Sequence, residues 1–308
     1  MMSVISSAIQ PVIQGAIGSV FSSLGLEISP EKVIADMFAA GAKGAWYERS
    51  SISTVLQDAI GSPVGVSSPV VLGLSKDKAL AYGPELHIPD TASPAWNAGL
   101  GRFVMSRSAA GALVAYATNV TLTPGRLYRV ELDGYPDGGA VPHVTEFRAA
   151  ITGLSLPVPL QVSIASSGQR VVGYIIAPAG AGVLNLWGGA TSNGNTWGAS
   201  NISIREALGN HQIQATPGAR PLYQVAPQRL VFDGVDDLLT TNFPAALGAA
   251  CTVGRAIPGT GAVITAGVNI GTSFADNVTA SALLIADRAL TAGETASWTA
   301  YLNQQSIK

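Results

Sequence analysis

The chain has few charged residues, few aromatic residues and a single cysteine. Charged side chains make up 12% of its 308 residues and aromatic ones 6%, and the charged share is about half that of an ordinary soluble domain. The lone Cys251 excludes an internal disulfide and any site built from paired cysteines. It stands in Ala-Ala-Cys-Thr-Val and is expected to be a small buried side chain. Scarce lysine and glutamate disfavour long solvent-facing helices and favour short strands.

The charges nearly balance, with 17 Lys and Arg against 19 Asp and Glu and a net charge of −2. No run of basic residues could neutralise successive phosphates, so nucleic acid is not an expected partner. The histidines are His87, His143 and His211. No pair of them has helical metal-ligand spacing, and the sequence has no nucleophile elbow and no phosphate-binding glycine loop. We therefore predict no enzyme activity and no cofactor, and we expect His211 to be a loop residue tied to the fold.

The first 26 residues carry no charged side chain. Gln10, Pro11 and Gly15 interrupt this stretch, so neither a signal peptide nor a membrane span is predicted. Apolar residues recur in pairs every four positions, which is typical of a helix whose apolar stripe winds around its surface. Such a stripe favours enclosure by neighbouring chains; a helix packed on its own domain and contact with a membrane are the alternatives. The predicted assembly interface consists of Val4, Ile5, Ile9, Val12, Ile13, Ile17, Val20 and Phe21.

Two further helices are predicted from the signals at their ends. Ser29-Pro30-Glu31 provides an N-cap, a proline in the first turn and an acid near the positive end of the helix dipole, and Gly41 ends this helix. Near the end of the chain, Thr291-Ala-Gly-Glu294 has the pattern of a capping box. The helix that follows has an apolar face of Trp298, Tyr301 and Leu302.

Between residues 84 and 207 the pattern changes to strands separated by turns about every ten residues. In residues 128–133, apolar Tyr128, Val130 and Leu132 alternate with charged residues, which is typical of a strand with one buried face. Residues 171–176 are apolar on both faces, which predicts a covered central strand. About eight strands over this length favour a two-sheet jelly roll within an all-β fold.

Several distinctive phrases occur in order along the chain: Gly44-Ala-Trp-Tyr47, Gly209-Asn-His211, Leu230-Val-Phe-Asp-Gly-Val-Asp-Asp237 and Ile285-Ala-Asp-Arg-Ala-Leu-Thr291. They resemble segments of bacteriophage and prophage virion proteins that contain concanavalin-A-like (laminin-G-like) domains, although Glu48-Arg49 stands where those proteins have Asp-Pro. Residues 84–207, including Leu122-Thr-Pro-Gly-Arg-Leu-Tyr-Arg129, are similar to carbohydrate-binding jelly rolls inserted in the same proteins.

This resemblance implies four segments and a fold. Residues 1–43 would form a helical assembly segment, residues 44–83 and 208–308 the two parts of a reduced concanavalin-A-like β domain, and residues 84–207 an inserted jelly-roll β-sandwich. A C-terminal helix would close the second part. The expected fold is therefore all-β, with helices at both ends.

The resemblance also implies a role in a phage particle. We expect a structural protein of the virion that is associated with the tail, as a tail fibre or receptor-binding component. It would contact other virion proteins and host cell-surface polysaccharide without catalysis, and it would form a homotrimer. The alternatives are a capsid or tail decoration protein with no ligand and, third, a polysaccharide depolymerase.

Tryptophans give the candidate glycan site because flat indole rings pack on the apolar faces of sugars. Trp96, Trp187 and Trp197 all fall within residues 84–207, and Asn195 offers an amide beside the last of them. We predict that these four residues form a weak glycan platform. The alternative is that each tryptophan is half-buried at the end of the sandwich.

Two groups of acidic residues are candidates for catalysis or for metal binding. Glu131-Leu-Asp133 is similar to the Glu-x-Asp-x-x-Glu strand of laminarinase-like glycosidases, but Pro136 stands in place of the third acid. Asp233-Gly234 is a strong hairpin signal, and with Asp236 and Asp237 it gathers three carboxylates that could bind Ca²⁺ or cap a turn. We predict turn capping and no metal.

Overall fold

The computed structural model describes residues 29–308 except 60, 94, 107–113, 136–144, 152–159, 165, 179–181 and 191–195. The predicted assembly interface from Val4 to Phe21, together with His143, Pro136 and Asn195, lies outside the described residues. The described part contains two α-helices, α1 (Pro30–Ala39) and α2 (Ala292–Gln305), and is otherwise built from antiparallel strands. The all-β prediction, with helices towards both ends, is confirmed.

In chain order the strands are β1 (Gly44–Glu48), β2 (Val55–Leu56), β3 (Leu72–Gly73), β4 (Trp96–Asn97), β5 (Arg102–Ser106), β6 (Val114–Leu122), β7 (Leu127–Tyr135), β8 (Thr145–Ile151), β9 (Leu160–Ile164), β10 (Gln169–Ile176), β11 (Gly182–Ala190), β12 (Thr196–Glu206), β13 (Gln212–Ile213), β14 (Leu222–Val225), β15 (Gln228–Val231), β16 (Leu239–Asn242), β17 (Gly248–Ile257), β18 (Gly261–Ile270), β19 (Ser273–Asp276) and β20 (Ala282–Ala286).

Both predicted helix starts are confirmed. The Ser29 side chain accepts a hydrogen bond from the backbone of Lys32 at 3.2 Å and caps α1. Thr291 and Glu294 form the complete capping box of α2, and the predicted apolar face of α2 is fully buried. Among the described residues, no helix has both the length and the apolar character needed to cross a bilayer.

The middle of the chain forms a sandwich of two sheets. One sheet has the strand order β10-β7-β12-β5-β4 and the other the order β6-β11-β8-β9. Their inner faces share one hydrophobic core, which includes Phe103, Val130, Leu132, Leu184 and Leu186. This is the two-sheet arrangement that the alternating pattern predicts.

Of the two strand predictions made for this sandwich, one is confirmed and the other is wrong. β7 alternates buried and partly buried residues, as predicted. The prediction of a central strand over residues 171–176 is wrong, because β10 lies at the edge of its sheet and Val172, Tyr174 and Ile176 are only partly buried. The outer edge of β10 is covered by a loop, since Tyr174 N donates to Ala59 O at 2.6 Å. A covering loop therefore allows an edge strand to carry the apolar pattern of a central one.

Most of the remaining strands form two outer sheets, whose segments come from before and after the sandwich in the sequence. β1, β20, β17 and β18 form one sheet, and β19, β16, β13, β3 and β2 form another. The helices pack on one face of the first sheet, and the other face shares a core with residues of the second. Cys251 lies in that core and is fully buried, as expected. Pairing of β1 with β20 and of β3 with β13 joins segments from before and after the sandwich, while the domain boundaries stay a prediction.

The turn at Asp233-Gly234 is present, but the predicted hairpin is not. Gly234 has φ +78°, which a turn of this kind requires. β15 pairs with β14, however, and β16 pairs with β13 and β19. The turn therefore carries the chain from one sheet to another instead of folding a strand back on its neighbour.

Two of the distinctive sequence phrases meet in space. Asn210 Nδ2 donates to Gly44 O at 2.5 Å, and the hydroxyl of Tyr47 donates to Asn210 O. Gly44 has φ +146°, and an added Cβ would lie 1.9 Å from Ile285 O, so only glycine fits at this crossing. These contacts give both phrases a structural role.

His211 is part of the same junction and is tied to the fold, as expected. Its Nδ1 accepts from Ser75 N at 3.0 Å, and its Nε2 lies 3.1 Å from Ala207 O and donates to it. Burial is the main cause that lowers the pKa of His211 to about 4, and the nearby Arg126 charge adds to the effect. The ring is therefore neutral at physiological pH.

Candidate functional site

The outward side of the five-stranded sheet in the sandwich carries a group of polar side chains on adjacent strands. We call this surface the polar sheet face; it consists of Arg129, Glu131, Asp133, Arg170, Ser203 and Arg205. These residues share one face because side chains alternate along a strand and the opposite set fills the core. Side-chain exposure ranges from 16% at Glu131 to 49% at Arg205, so solvent reaches the face.

Arg170 organises the centre of the polar sheet face. Its guanidinium bridges two carboxylates of β7, with an ion pair to Glu131 and an Nη1 to Asp133 Oδ1 distance of 3.1 Å. Asn201 Nδ2 donates to the other oxygen of Asp133 at 2.7 Å, and Arg129 also pairs with Glu131. The result is a fixed array of donors and acceptors on three neighbouring strands.

Tyrosines lie at both ends of this array. At one end the hydroxyls of Tyr82 and Tyr174 are 3.3 Å apart, and the Arg129 guanidinium carbon is 5.1 Å from the centre of the Tyr82 ring. Burial, followed by the contact with Tyr82, raises the pKa of Tyr174 well above its usual value. At the other end the Arg102 guanidinium carbon lies 4.0 Å from the centre of the Tyr135 ring. Tyr135 lies six positions after Arg129 along β7, which corresponds to about 20 Å of strand.

Glu85 closes one side of the face. Its carboxylate accepts from Ser203 Oγ at 2.5 Å, from Ile204 N at 2.7 Å and from Arg205 Nε at 3.2 Å. Partial burial alone would raise the pKa of Glu85, but these hydrogen bonds together lower it. The loop before β4 is thereby held beside β12, and Tyr82, from the same loop, is held over the sheet.

This arrangement has the chemistry of a surface that recognises neutral polyols. Guanidinium and carboxylate groups each offer two donors or acceptors in one plane, which suits a pair of neighbouring hydroxyls. Tyrosine rings offer apolar faces with a polar tip, and they lose little conformational freedom on binding. Because the charged groups already hold one another in place, little ordering is required when a ligand arrives.

The predicted tryptophan platform is not assembled on this face. Trp197 is only 2% exposed, so its indole cannot stack on a sugar, and we remove it from the candidate site. Trp96 is half-buried and meets the buried Phe103 edge to face, with ring centres 5.0 Å apart; it lies on the core side of the same sheet. Trp187 belongs to β11, but its side chain lies outside the described part, as does Asn195.

Glu131 and Asp133 do not have the environment expected of a glycosidase pair. Such enzymes need one carboxyl group that gives a proton to the leaving oxygen. Here both carboxylates are paired with Arg170, and Arg129 also contacts Glu131. The same contacts make these two residues part of the charged array on the polar sheet face.

The acidic group at Asp233, Asp236 and Asp237 is a capped turn. Its carboxylate oxygens lie within 4.8 Å of one another. Asp233 Oδ1 accepts from the backbone N–H groups of Val235 at 2.8 Å and of Asp236 and Asp237 at 3.3 Å, and these bonds lower the pKa of Asp233. Burial, followed by the two neighbouring acids, raises the pKa of Asp237. The oxygens serve the turn itself, and we assign no ligand to it.

A cavity of about 340 Å³ lies between the sandwich and the outer strands, and its wall carries charged groups of both signs. Arg126 Nε lies 3.6 Å from Glu206 Oε1 across its wall. Burial is the main cause that raises the pKa of Asp77, and hydrogen bonds from Ser75 and from the backbone of Asn210 oppose it. This cavity therefore indicates no particular class of ligand.

Sequence reasoning identified the alternation on β7 but missed the site that it belongs to. The charged positions 129, 131 and 133 were visible as the solvent side of one strand. Their partners Arg170 and Arg205 come from strands far along the chain, and only the register of the sheet brings them together. Tyr82 and Tyr174 are 92 positions apart and share no local pattern.

Comparisons with known proteins add little to this geometry. No known protein family matches the sequence, and no curated protein matches it. Among solved structures, the chain is similar to the N-terminal CBM22-1-CBM22-2 tandem domain from Paenibacillus barcinonensis Xyn10C, with 9% sequence identity and a TM-score of 0.28. The match covers 70% of this chain and 95% of that chain.

Proposed function

We propose that this protein is a non-enzymatic, glycan-binding component of a bacteriophage particle, associated with the tail. The observation that supports glycan binding is the polar sheet face, where paired arginines and carboxylates lie between tyrosines on an open sheet. The phage assignment rests on the sequence phrases that resemble virion proteins. The site of action would be the virion surface, with host polysaccharide as ligand.

Binding would use the array as it stands. A sugar chain would lie along the roughly 20 Å of β7 between Arg129 and Tyr135. Its hydroxyls would accept from Arg170 and Arg205 and donate to Glu131 and Asp133. Tyr82 and Tyr135 would pack against the apolar faces of the end residues. Each such contact is weak. Several copies of the protein on one particle would bind the polysaccharide at the same time and so increase the overall affinity.

The experiment is a glycan array of bacterial surface polysaccharides, probed with the full chain and two matched double variants. Tyr82→Ala with Arg170→Ala removes one ring and the central guanidinium of the face. Lys32→Ala with Leu222→Ala removes an exposed cation and an exposed apolar side chain elsewhere. We expect the first variant to lose at least about tenfold in affinity, equal to about 1.4 kcal/mol, and the second to bind normally.

Two outcomes would overturn the proposal: absence of binding to any glycan by the wild-type chain, or equal binding by both variants. Release of reducing sugar from a bound polysaccharide would instead support the third alternative, a polysaccharide depolymerase. Electron microscopy of intact particles with a labelled chain tests the phage assignment separately, and label found away from particles would contradict it.

A capsid or tail decoration role is the second candidate, and the internal pairing of charges on the face favours it. Arg170, Glu131 and Asp133 satisfy one another without a ligand. In that case the face variants would leave adsorption to host cells unchanged. Changing Val12 and Ile13 together to Asp would still reduce incorporation into particles, since the predicted assembly interface serves both roles.

A further inference from the structure

The strand β18 forms a long, neutral edge of the sheet that packs against the helices. It spans Gly261–Ile270 and contains no charged residue and no proline. Edge strands in natural proteins are usually short, charged, interrupted by proline or covered, because a free edge is a template for another strand. Gly267, with φ +73°, marks an irregularity in the pairing with β17. Residues 261–266 before it remain a regular edge.

The opposite edge of the same sheet is covered by the chain itself. Trp46 N donates to Ser75 Oγ at 2.9 Å, and Lys76 N donates to Trp46 O at 2.7 Å, so both outward backbone groups of Trp46, in the middle of β1, have partners. Along the outer side of β18 no strand pairs within the described part of the chain. There, Asn303 Oδ1 accepts from Ala262 N at 2.8 Å, close to where the strand begins. Among the described residues, the sheet therefore has one closed edge and one edge available for pairing.

Apolar side chains flank the free edge. Val263 on β18 is 41% exposed, and Ile307, which follows α2, is 82% exposed. Ile307 and Asn303 line a groove that reaches the turn at residues 259–261 and the start of β18. A strand added to this edge would cover apolar surface as well as satisfy backbone groups.

We propose that β18 pairs antiparallel with β18 of a second copy of this chain. An identical strand suits the edge because neither copy would place a like charge opposite the other. The two edges would be related by a two-fold axis, and because the other edge of each sheet is closed, the assembly stops at two. The regular part of the edge is only six residues long, so pairing would bury less surface than a standard interface of about 1,600 Å². The dimer should therefore dissociate on dilution.

The test is sedimentation velocity of the full chain over a wide range of concentration, with two matched lysine variants. Val263→Lys with Thr265→Lys places two cations on the exposed side of β18. Leu222→Lys with Val225→Lys places two cations on exposed positions of β14, away from the edge. We expect wild type and the β14 variant to form dimers as concentration rises and the β18 variant to stay monomeric. At a concentration low enough for all three chains to be monomeric, they should show the same thermal unfolding.

Hydrogen exchange provides a second measurement that does not depend on a variant. The amides of β18 in the wild-type chain should gain protection as concentration rises, while those of β1 should not change. A wild-type chain that is monomeric at every concentration, or a β18 variant that still dimerises, would overturn the proposal.

Deletion of residues 1–28 distinguishes self-association through this edge from self-association through the predicted assembly segment. The shortened chain should still dimerise. Loss of association on deletion, or a trimer that requires residues 1–28, would assign self-association to that segment and contradict pairing through β18. Glycan binding by the monomer is unaffected by any of these results, so the proposed function is tested independently.

Discussion

Two arginine–carboxylate pairs, one in the outer strands and one on the sandwich, show what burial does to the same chemistry. Arg49 and Asp276 are 2.5 Å apart with side chains 1% and 0% exposed, and Arg255 also contacts Asp276. Arg170 and Asp133 are 3.1 Å apart but 45% and 20% exposed. The buried pair is removed from solvent and depends on its partners, whereas the open pair remains in contact with solvent and has donors and acceptors that a ligand can reach. The first therefore holds the fold, and the second is suited to binding.

Removing one charge from the buried pair should have the largest effect on stability. Asp276→Asn keeps the shape of the side chain but leaves Arg49 buried without a full counter-charge. We expect a loss of about 3–5 kcal/mol in the free energy of unfolding, measured by chemical denaturation. Asp133→Asn on the open pair is the matched control and should cost less than about 1 kcal/mol. Equal losses would show that burial does not distinguish the two pairs.

Acid should weaken the outer strands through His211. Its pKa is about 4 in the folded chain and near 6.5 when unfolded. Between these values the unfolded chain binds a proton that the folded chain does not, so stability falls as pH falls from about 6.5 to about 4. The loss should approach about 3 kcal/mol, measured by denaturation at a series of pH values.

His211→Gln is the control for this pH dependence. It should be less stable than wild type at neutral pH, and the difference between the two should shrink as pH falls towards 4. A constant difference over that range would contradict the assigned protonation.

A smaller and more specific effect is expected on the open face. Arg170→Lys keeps the positive charge but loses the planar pair of donors that bridges Glu131 and Asp133. We expect glycan affinity to fall about fivefold, or about 1 kcal/mol, measured by isothermal titration, with unfolding free energy nearly unchanged. An unchanged affinity would mean that the charge alone is recognised.

The smallest effect is expected at a pair that is fully on the surface. Lys32 and Asp36 lie one turn apart on α1, 2.9 Å from each other and about 60% exposed. Lys32→Ala should change the free energy of unfolding by no more than about 0.5 kcal/mol, measured by the same denaturation. A loss as large as that of Asp276→Asn would undermine the whole ranking by burial.

Local signals explain which parts of this fold could be read from sequence. The caps at Ser29 and Thr291 involve residues three positions apart, and the alternation on β7 is complete within one strand, so both were predicted correctly. The position of β10 and the partners of β15 depend on which distant strand lies beside them. The sequence around Trp197 does not show that this side chain is buried, because β12 lies between β5 and β7, which are distant in sequence.

The same limit applies to the candidate site. The charged side of β7 was predictable, but a site needs the register that places Arg170 opposite Asp133 and Arg205 opposite Arg129. Residues 256–275, which contain β18, carry no charge in the sequence, but the position of β18 at an edge follows only from the order of strands in the sheet.

The central claim is that the polar sheet face binds a glycan, and hydrogen exchange with the tightest glycan from the array tests it most directly. We predict that ligand slows exchange in β7, β10, β12 and the loop carrying Tyr82, and leaves the outer strands unchanged. Protection confined to the cavity near Phe243, or to the segment around Trp96, with no change on the sheet face, would contradict the claim.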